Sequence, residues 1–207
     1  MNRFGKLCVI TDTVIQKKYS HIEIARMAIK GGAGMIQFRD KSMPTGVLVE
    51  TAISLSKLCK KHSVTFIVND RVDVAMLSDA DGVHLGMEDI PVNDARKLLG
   101  GKKIIGATAH TLSEAKIAVR EGADYIGFGH IYATGSKIRT TKPVGVRKLT
   151  EICRKVKLPV IAIGGISSVN AADVMEAGAY GFAVIGSVLR SNNPLNEVKK
   201  LREIIDE

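Results

Sequence analysis

The 207-residue sequence predicts a single-domain α/β fold, a (β/α)8 TIM barrel, and three observations carry that prediction. Short apolar, β-branched runs alternate with amphipathic stretches from end to end, in eight units of about 25 residues each, the size of a βαβ repeat. A glycine- or alanine-rich stop recurs just before a strand, at residues 31–34, 80–82, 122–124 and 178–181. Glycine ends a helix there because it takes the left-handed conformation without a Cβ clash. The first strand is followed by Asp12 and not by Gly-x-Gly-x-x-Gly, which disfavours a doubly wound dinucleotide fold.

The elements follow in order. The first strand is the apolar run 7–11, closed by Asp12, and the helical pattern 21–30 ends at the Gly31-Gly32 stop. The second strand, 35–39, precedes the long helical pattern 47–62; the third and fourth occupy 65–69 and 82–85. The fifth strand, 103–108, leads to the helical pattern 113–121, and the sixth spans 125–130. The seventh, 159–164, precedes the helical pattern 171–177, and the eighth covers 181–185. No linker or shift in composition interrupts the series, so one domain is expected over residues 1–207. The length is small for a barrel and leaves room for few insertions.

Composition narrows the class of function. The chain is 45% hydrophobic and 25% charged, which suits a globular protein and excludes a disordered or fibrous one. No apolar run reaches the roughly 18 residues of a membrane span, and the N-terminal apolar run is too short for a signal peptide. Cys8, Cys59 and Cys153 have no metal-ligand spacing and read as reduced thiols of a cytoplasmic protein. The net charge of +9 is spread over scattered lysine pairs, and aromatic residues make up only 4%. A nucleic-acid partner is therefore not expected; anionic small molecules are.

In a barrel of this kind the active site forms where the strands end. Strand two ends Gln37-Phe38-Arg39-Asp40-Lys41, and alternation points Gln37, Arg39 and Lys41 the same way. Asn69 and Asp70 end strand three, and Asp89 follows strand four. Two carboxylates at one rim suit Mg²⁺, which commonly takes one or two protein carboxylates together with substrate phosphate oxygens. Each aspartate could instead cap the helix that follows it. Thr108 ends strand five, with Thr111 placed to cap the next helix. Thr134-Gly135-Ser136-Lys137 after strand six reads as an anion loop. Gly164-Gly165 and Ile185-Gly186 follow strands seven and eight, where barrels often bind a phosphate on backbone N–H groups. The pattern predicts a cationic, metal-assisted diphosphate site beside a backbone cradle for a single phosphate.

These segments, together with Asp81-Gly82-Val83-His84-Leu85-Gly86 and Ile163-Gly164-Gly165-Ile166, resemble the thiamine phosphate synthase / thiazole tautomerase family along nearly the whole chain. The resemblance implies a transferase of thiamine biosynthesis that joins a hydroxymethylpyrimidine diphosphate to a thiazole phosphate and releases diphosphate. It implies that Gln37, Phe38, Arg39, Asp40, Lys41 and Asn69 bind the pyrimidine substrate, with Thr108 and Lys137 on its diphosphate. Thr134, Gly135, Ser136, Gly165, Ile185 and Gly186 then line the thiazole phosphate site. Arg39, Lys41 and Lys137 become the catalytic cations, Asp70 and Asp89 the Mg²⁺ ligands, and a homodimer an expected assembly.

The chain also departs from the family pattern. Thr108 and Gly186 stand where serine is common, and Asp40 where glutamate is. His130 replaces a common proline in a segment that resembles the tautomerase subfamily, in which a histidine transfers protons. A tautomerase acting through His130 is the alternative enzyme, and a non-catalytic binder of phosphate ligands or nucleic acid is the alternative outside catalysis.

Overall fold

The computed structural model describes residues 4–135 and 142–206. Eight parallel strands close into a barrel in chain order. They are β1 (Leu7–Thr11), β2 (Met35–Phe38), β3 (Thr65–Asn69), β4 (Gly82–Leu85), β5 (Ile104–Ala109), β6 (Tyr125–Gly129), β7 (Val160–Ile163) and β8 (Gly181–Val184). The circle is completed by β8 against β1, with Cys8 level with Ala183. Around it lie α1 (His21–Lys30), α2 (Thr45–Lys61), α3 (Val72–Leu77), α4 (Val92–Leu99) and α5 (Leu112–Glu121). They continue with α6 (Gly145–Lys155), α7 (Ala171–Glu176), α8 (Gly186–Leu189) and α9 (Pro194–Asp206).

Local chemistry sets the helix ends. The Ser20 hydroxyl accepts from the Glu23 backbone N–H, and the Glu23 carboxylate accepts from the Ser20 N–H at 2.8 Å, a reciprocal cap that starts α1. Thr111 caps α5, as expected, and Gly122 ends it with φ +94°. Asp70 and Asp89 do not cap their helices: the flanking residues are Arg71 for α3 and Pro91 for α4, neither helix having a side-chain cap. Strand ends differ from the sequence reading by a residue or so. For example, β7 excludes Pro159, which has no N–H for the ladder, and Gly164, which turns to φ +100°.

Alternation along each strand divides the core into two layers. Ile36, Phe38, Phe66, Val68, Val83 and Phe128 are buried on the outer face of the barrel, under the helices, while Gln37, His84 and Tyr125 line the interior. Two glycines shape that interior. A Cβ on Gly106 would lie 2.1 Å from Cζ of Tyr125, and one on Gly127 would lie 2.6 Å from Cε1 of His84. The missing side chains on β5 and β6 leave room for the two rings, which stack with centroids 5.5 Å apart.

We therefore expect Gly106→Ala to be an overpacking substitution. It should lower folding stability by about 1–3 kcal/mol, read as a lower urea midpoint. An unchanged midpoint would show that Tyr125 is free to move aside.

Candidate active site

The strand ends surround a cavity of about 340 Å³ in the barrel mouth. Its walls are Cys8 and Ile10 from β1, Met35 and Gln37 from β2, Ile161 and Ile163 from β7, and Ala183 from β8. His84 stands across from them, with Nδ1 3.0 Å from the Tyr125 hydroxyl and Nε2 2.9 Å from Oγ1 of Thr108. A mostly apolar floor with a few fixed polar groups is the usual form of a small-molecule site.

The rim is charged. The segment after β2 sends Arg39 and Lys41 to it, as alternation predicts, and Asn69, Asp70, Glu88 and Asp89 join them from the ends of the next two strands. The Arg39 guanidinium pairs with Asp12, which is only 2% exposed and also accepts from the N–H groups of Val14 and Ile15. Lys41 reaches the neighbouring strand end at Asp70, Nζ to Oδ2 at 2.5 Å. Asp70 has φ +64°, a left-handed backbone that aspartate tolerates better than most residues, and its N–H donates to the carbonyl of His84. Asp89 closes its own turn by accepting from the Gly86 N–H at 2.6 Å. Burial and the hydrogen-bonded neighbour Asp70 together push the Asp89 carboxyl above its ordinary value. Two neighbouring carboxylates facing the Lys41 ammonium form a hard, oxygen-donor pair, and that chemistry fits Mg²⁺. Among the described residues no larger cluster of metal-binding side chains exists.

Phe38 and Asp40 were expected at the substrate, and the structure turns both away from the cavity. Phe38 is 1% exposed and packs edge-on against the ring of His21, with centroids 4.8 Å apart. Asp40 anchors the backbone: Oδ1 accepts from the N–H groups of Ser42 and Met43, each at 2.8 Å, and Oδ2 lies 3.1 Å from Nε2 of His21. The same alternation that puts Arg39 inward puts its neighbours outward. Burial raises the Asp40 carboxyl, but the hydrogen bonds from Ser42, His21 and Met43 outweigh it and hold the group well below the usual carboxylate range. His21, whose Nδ1 lies 2.7 Å from the Thr11 hydroxyl, is pushed down by burial against the opposing pull of Asp40.

A second cavity, about 290 Å³, lies between the loops after β6, β7 and β8. Thr134, Gly135, Gly165, Ile185 and Gly186 all line it, as the sequence leads one to expect. Gly165 takes φ +70°, and a Cβ there would lie 2.4 Å from the Ala133 carbonyl oxygen, so only glycine fits. Asn170 braces the loop, donating to the Gly165 carbonyl at 3.0 Å and accepting from the Ser167 N–H at 2.9 Å. Ile163, Ala183 and Ile185 line both cavities, so the two adjoin. Ser136 and Lys137 lie outside the described residues. His130 is 4% exposed and is not among the described residues that line either cavity.

Sequence reasoning missed Asp12 as the partner of Arg39, and it missed that Tyr125 lines the first cavity and Arg190 the second. The His84 ring faces the cavity. His84 follows from strand alternation, but its partners come from β5 and β6 and carry no local signal.

The depressed pKa of His21 has a consequence for stability. A lowered folded value means that the unfolded chain binds more protons, so the contribution is present above the ordinary histidine pKa of about 6.5 and is lost as pH falls below it. The drop in stability between pH 7.5 and 5.5 should therefore be smaller in His21→Asn than in the parent. Equal drops in the two proteins would contradict this.

Comparison with known proteins agrees with the geometry. The family model TMP-TENI, thiamine monophosphate synthase, matches residues 7–188. Thiamine-phosphate synthase of Chlorobium phaeobacteroides is 44% identical over 199 residues, covering 96% of this chain and 95% of the relative. Thiamine-phosphate synthase of Chloroflexus aurantiacus is 45% identical over 200 residues, covering 97% and 92%. A solved structure, thiamine phosphate pyrophosphorylase from Pyrococcus furiosus, superposes with a TM-score of 0.90 at 40% identity over 99% of this chain and 96% of that one. The chain belongs to the thiamine monophosphate synthase family of transferases.

Proposed function

We propose that this enzyme joins 4-amino-5-hydroxymethyl-2-methylpyrimidine diphosphate to thiazole phosphate, forming thiamine phosphate and diphosphate. The observation that carries the reading is the shared wall: a charged, apolar-floored cavity and a glycine-lined cavity meet at Ile163, Ala183 and Ile185. The pyrimidine ring occupies the barrel mouth, where Gln37 and Asn69 present amides and Thr108 a hydroxyl held by His84. The diphosphate sits at the rim beside Arg39 and Lys41, with Lys137 supplied by the loop after β6. The thiazole phosphate occupies the second cavity, with Thr134, Ser136 and the N–H groups of Gly165 and Gly186 as donors.

Asp70 and Asp89 would hold Mg²⁺, which when bound supplies positive charge to the diphosphate oxygens. The remaining work falls to the chain's own cations. The C–O bond to the diphosphate breaks, the leaving group takes the electron pair, and the pyrimidine methylene is left as a ring-stabilised cation. Arg39, Lys41 and Lys137 stabilise the charge that grows on the departing oxygen. The thiazole nitrogen then adds its lone pair to the methylene carbon across the shared wall. That nitrogen carries no proton, so the step needs no general base. The apolar floor keeps water from the cation. The buried, reduced thiols, with Cys8 and Cys59 pushed up to about 12 by burial, suit a cytoplasmic setting.

Asp70→Ala and Asp89→Ala should each lower Mg²⁺-dependent turnover by on the order of 100-fold or more while leaving the far-UV circular dichroism intact. Parent-like rates across a Mg²⁺ titration would remove both residues from the metal site. Lys137→Ala should lower the single-turnover rate of diphosphate release by about 10²–10³-fold, with a smaller effect on thiazole phosphate binding. The opposite pattern would place Lys137 at the second cavity.

A further inference from the structure

The second cavity is built almost wholly from neutral groups. Among the described residues that line it, Arg190 is the only one with a charge. Arg190 follows α8, and its Nη2 donates to the carbonyl of Gly135 at 2.9 Å. Its Nη1 lies 3.5 Å from the point where a Cβ on Gly135 would stand, so the guanidinium lies along the face of the loop after β6. Among the described residues no carboxylate is recorded against it, and the residue is exposed at the cavity edge. A guanidinium has five N–H donors. Among the described residues one is used, by the Gly135 carbonyl, which leaves others to meet a ligand. Gly186, on the same wall, offers an N–H and no side-chain donor.

We propose that Arg190 is a phosphate-binding and specificity-determining residue of this enzyme, one that supplies the cation of the second cavity and ties the loops after β6 and β8 together when the phosphate is bound. The inference rests on the reading that the thiazole phosphate occupies this cavity. A dianionic phosphate gains a charge-assisted, two-point contact from the guanidinium fork, whereas the unphosphorylated thiazole alcohol gains nothing. Arg190 thus selects the phosphorylated substrate, and it does so from a position where the neutral glycine cradle cannot.

The test is steady-state kinetics of the full enzyme with Mg²⁺ and pyrimidine diphosphate, using thiazole phosphate and the thiazole alcohol as alternative acceptors. Arg190→Ala and Arg190→Gln should raise KM for thiazole phosphate by about 10-fold, leave KM for the pyrimidine diphosphate unchanged and leave kcat/KM for the alcohol unchanged. Arg190→Lys should recover part of the loss. An unchanged KM for thiazole phosphate in Arg190→Ala, or an equal loss with the alcohol, would overturn the proposal, the second result marking a loop brace and not a phosphate ligand. Gly165→Val separates this from a failure of the underlying reading. If that variant leaves KM for thiazole phosphate unchanged, the cavity is not the thiazole phosphate site; if it raises KM while Arg190→Ala does not, Arg190 alone is excluded.

Discussion

Arg39 enters the barrel mouth against Asp12, and the surrounding loops are organised to keep that carboxylate dry and hydrogen-bonded. Asp12 accepts from two backbone N–H groups of its own loop as well as from the guanidinium. Two charges removed from water cost several kcal/mol each, and only good geometry with further hydrogen bonds offsets that cost. Losing one partner of such a pair strands the other, at about 3–5 kcal/mol. The cation that a diphosphate would meet is therefore held in place before any substrate arrives. Lys41 is held more loosely, by a contact to Asp70 in which its own side chain is largely exposed.

Behind Arg39 stands a second tier. Asp40 points away from the cavity, yet it joins His21 to the backbone of Ser42 and Met43 and so ties the turn after β2 to the start of α1. Thr11 and Thr13 meet the same histidine, bringing the loop after β1 into the arrangement. Side chains that face out of the barrel thus set the position of those that face in, and this accounts for a polar cluster where a parallel sheet is otherwise apolar.

Much of this was legible in the sequence because strand alternation and glycine stops are local signals. Gln37, Arg39 and Lys41 follow from their spacing alone, and the Gly164-Gly165 turn follows from its place after the seventh strand. Asp70 and Asp89 were legible as a pair, while their choice between capping and the rim was not, because it depends on a left-handed backbone at residue 70. Phe38 and Asp40 were placed at the substrate by resemblance, although the alternation that sends Arg39 inward already sends them outward. The stack of His84 on Tyr125 escaped the reading, since the space for it comes from glycines on two other strands, at 106 and 127. Long-range complementarity of that kind has no periodicity to betray it.

The central claim is that two substrates meet where the cavities share a wall, with a metal held by the two rim aspartates. The most direct measurement is thiamine phosphate formation by the purified protein from pyrimidine diphosphate and thiazole phosphate, with Mg²⁺ and again with EDTA. The account predicts product with Mg²⁺ and little or none with EDTA, with one diphosphate released for each thiamine phosphate. Absence of product from folded protein, or formation at the same rate in EDTA, would contradict it.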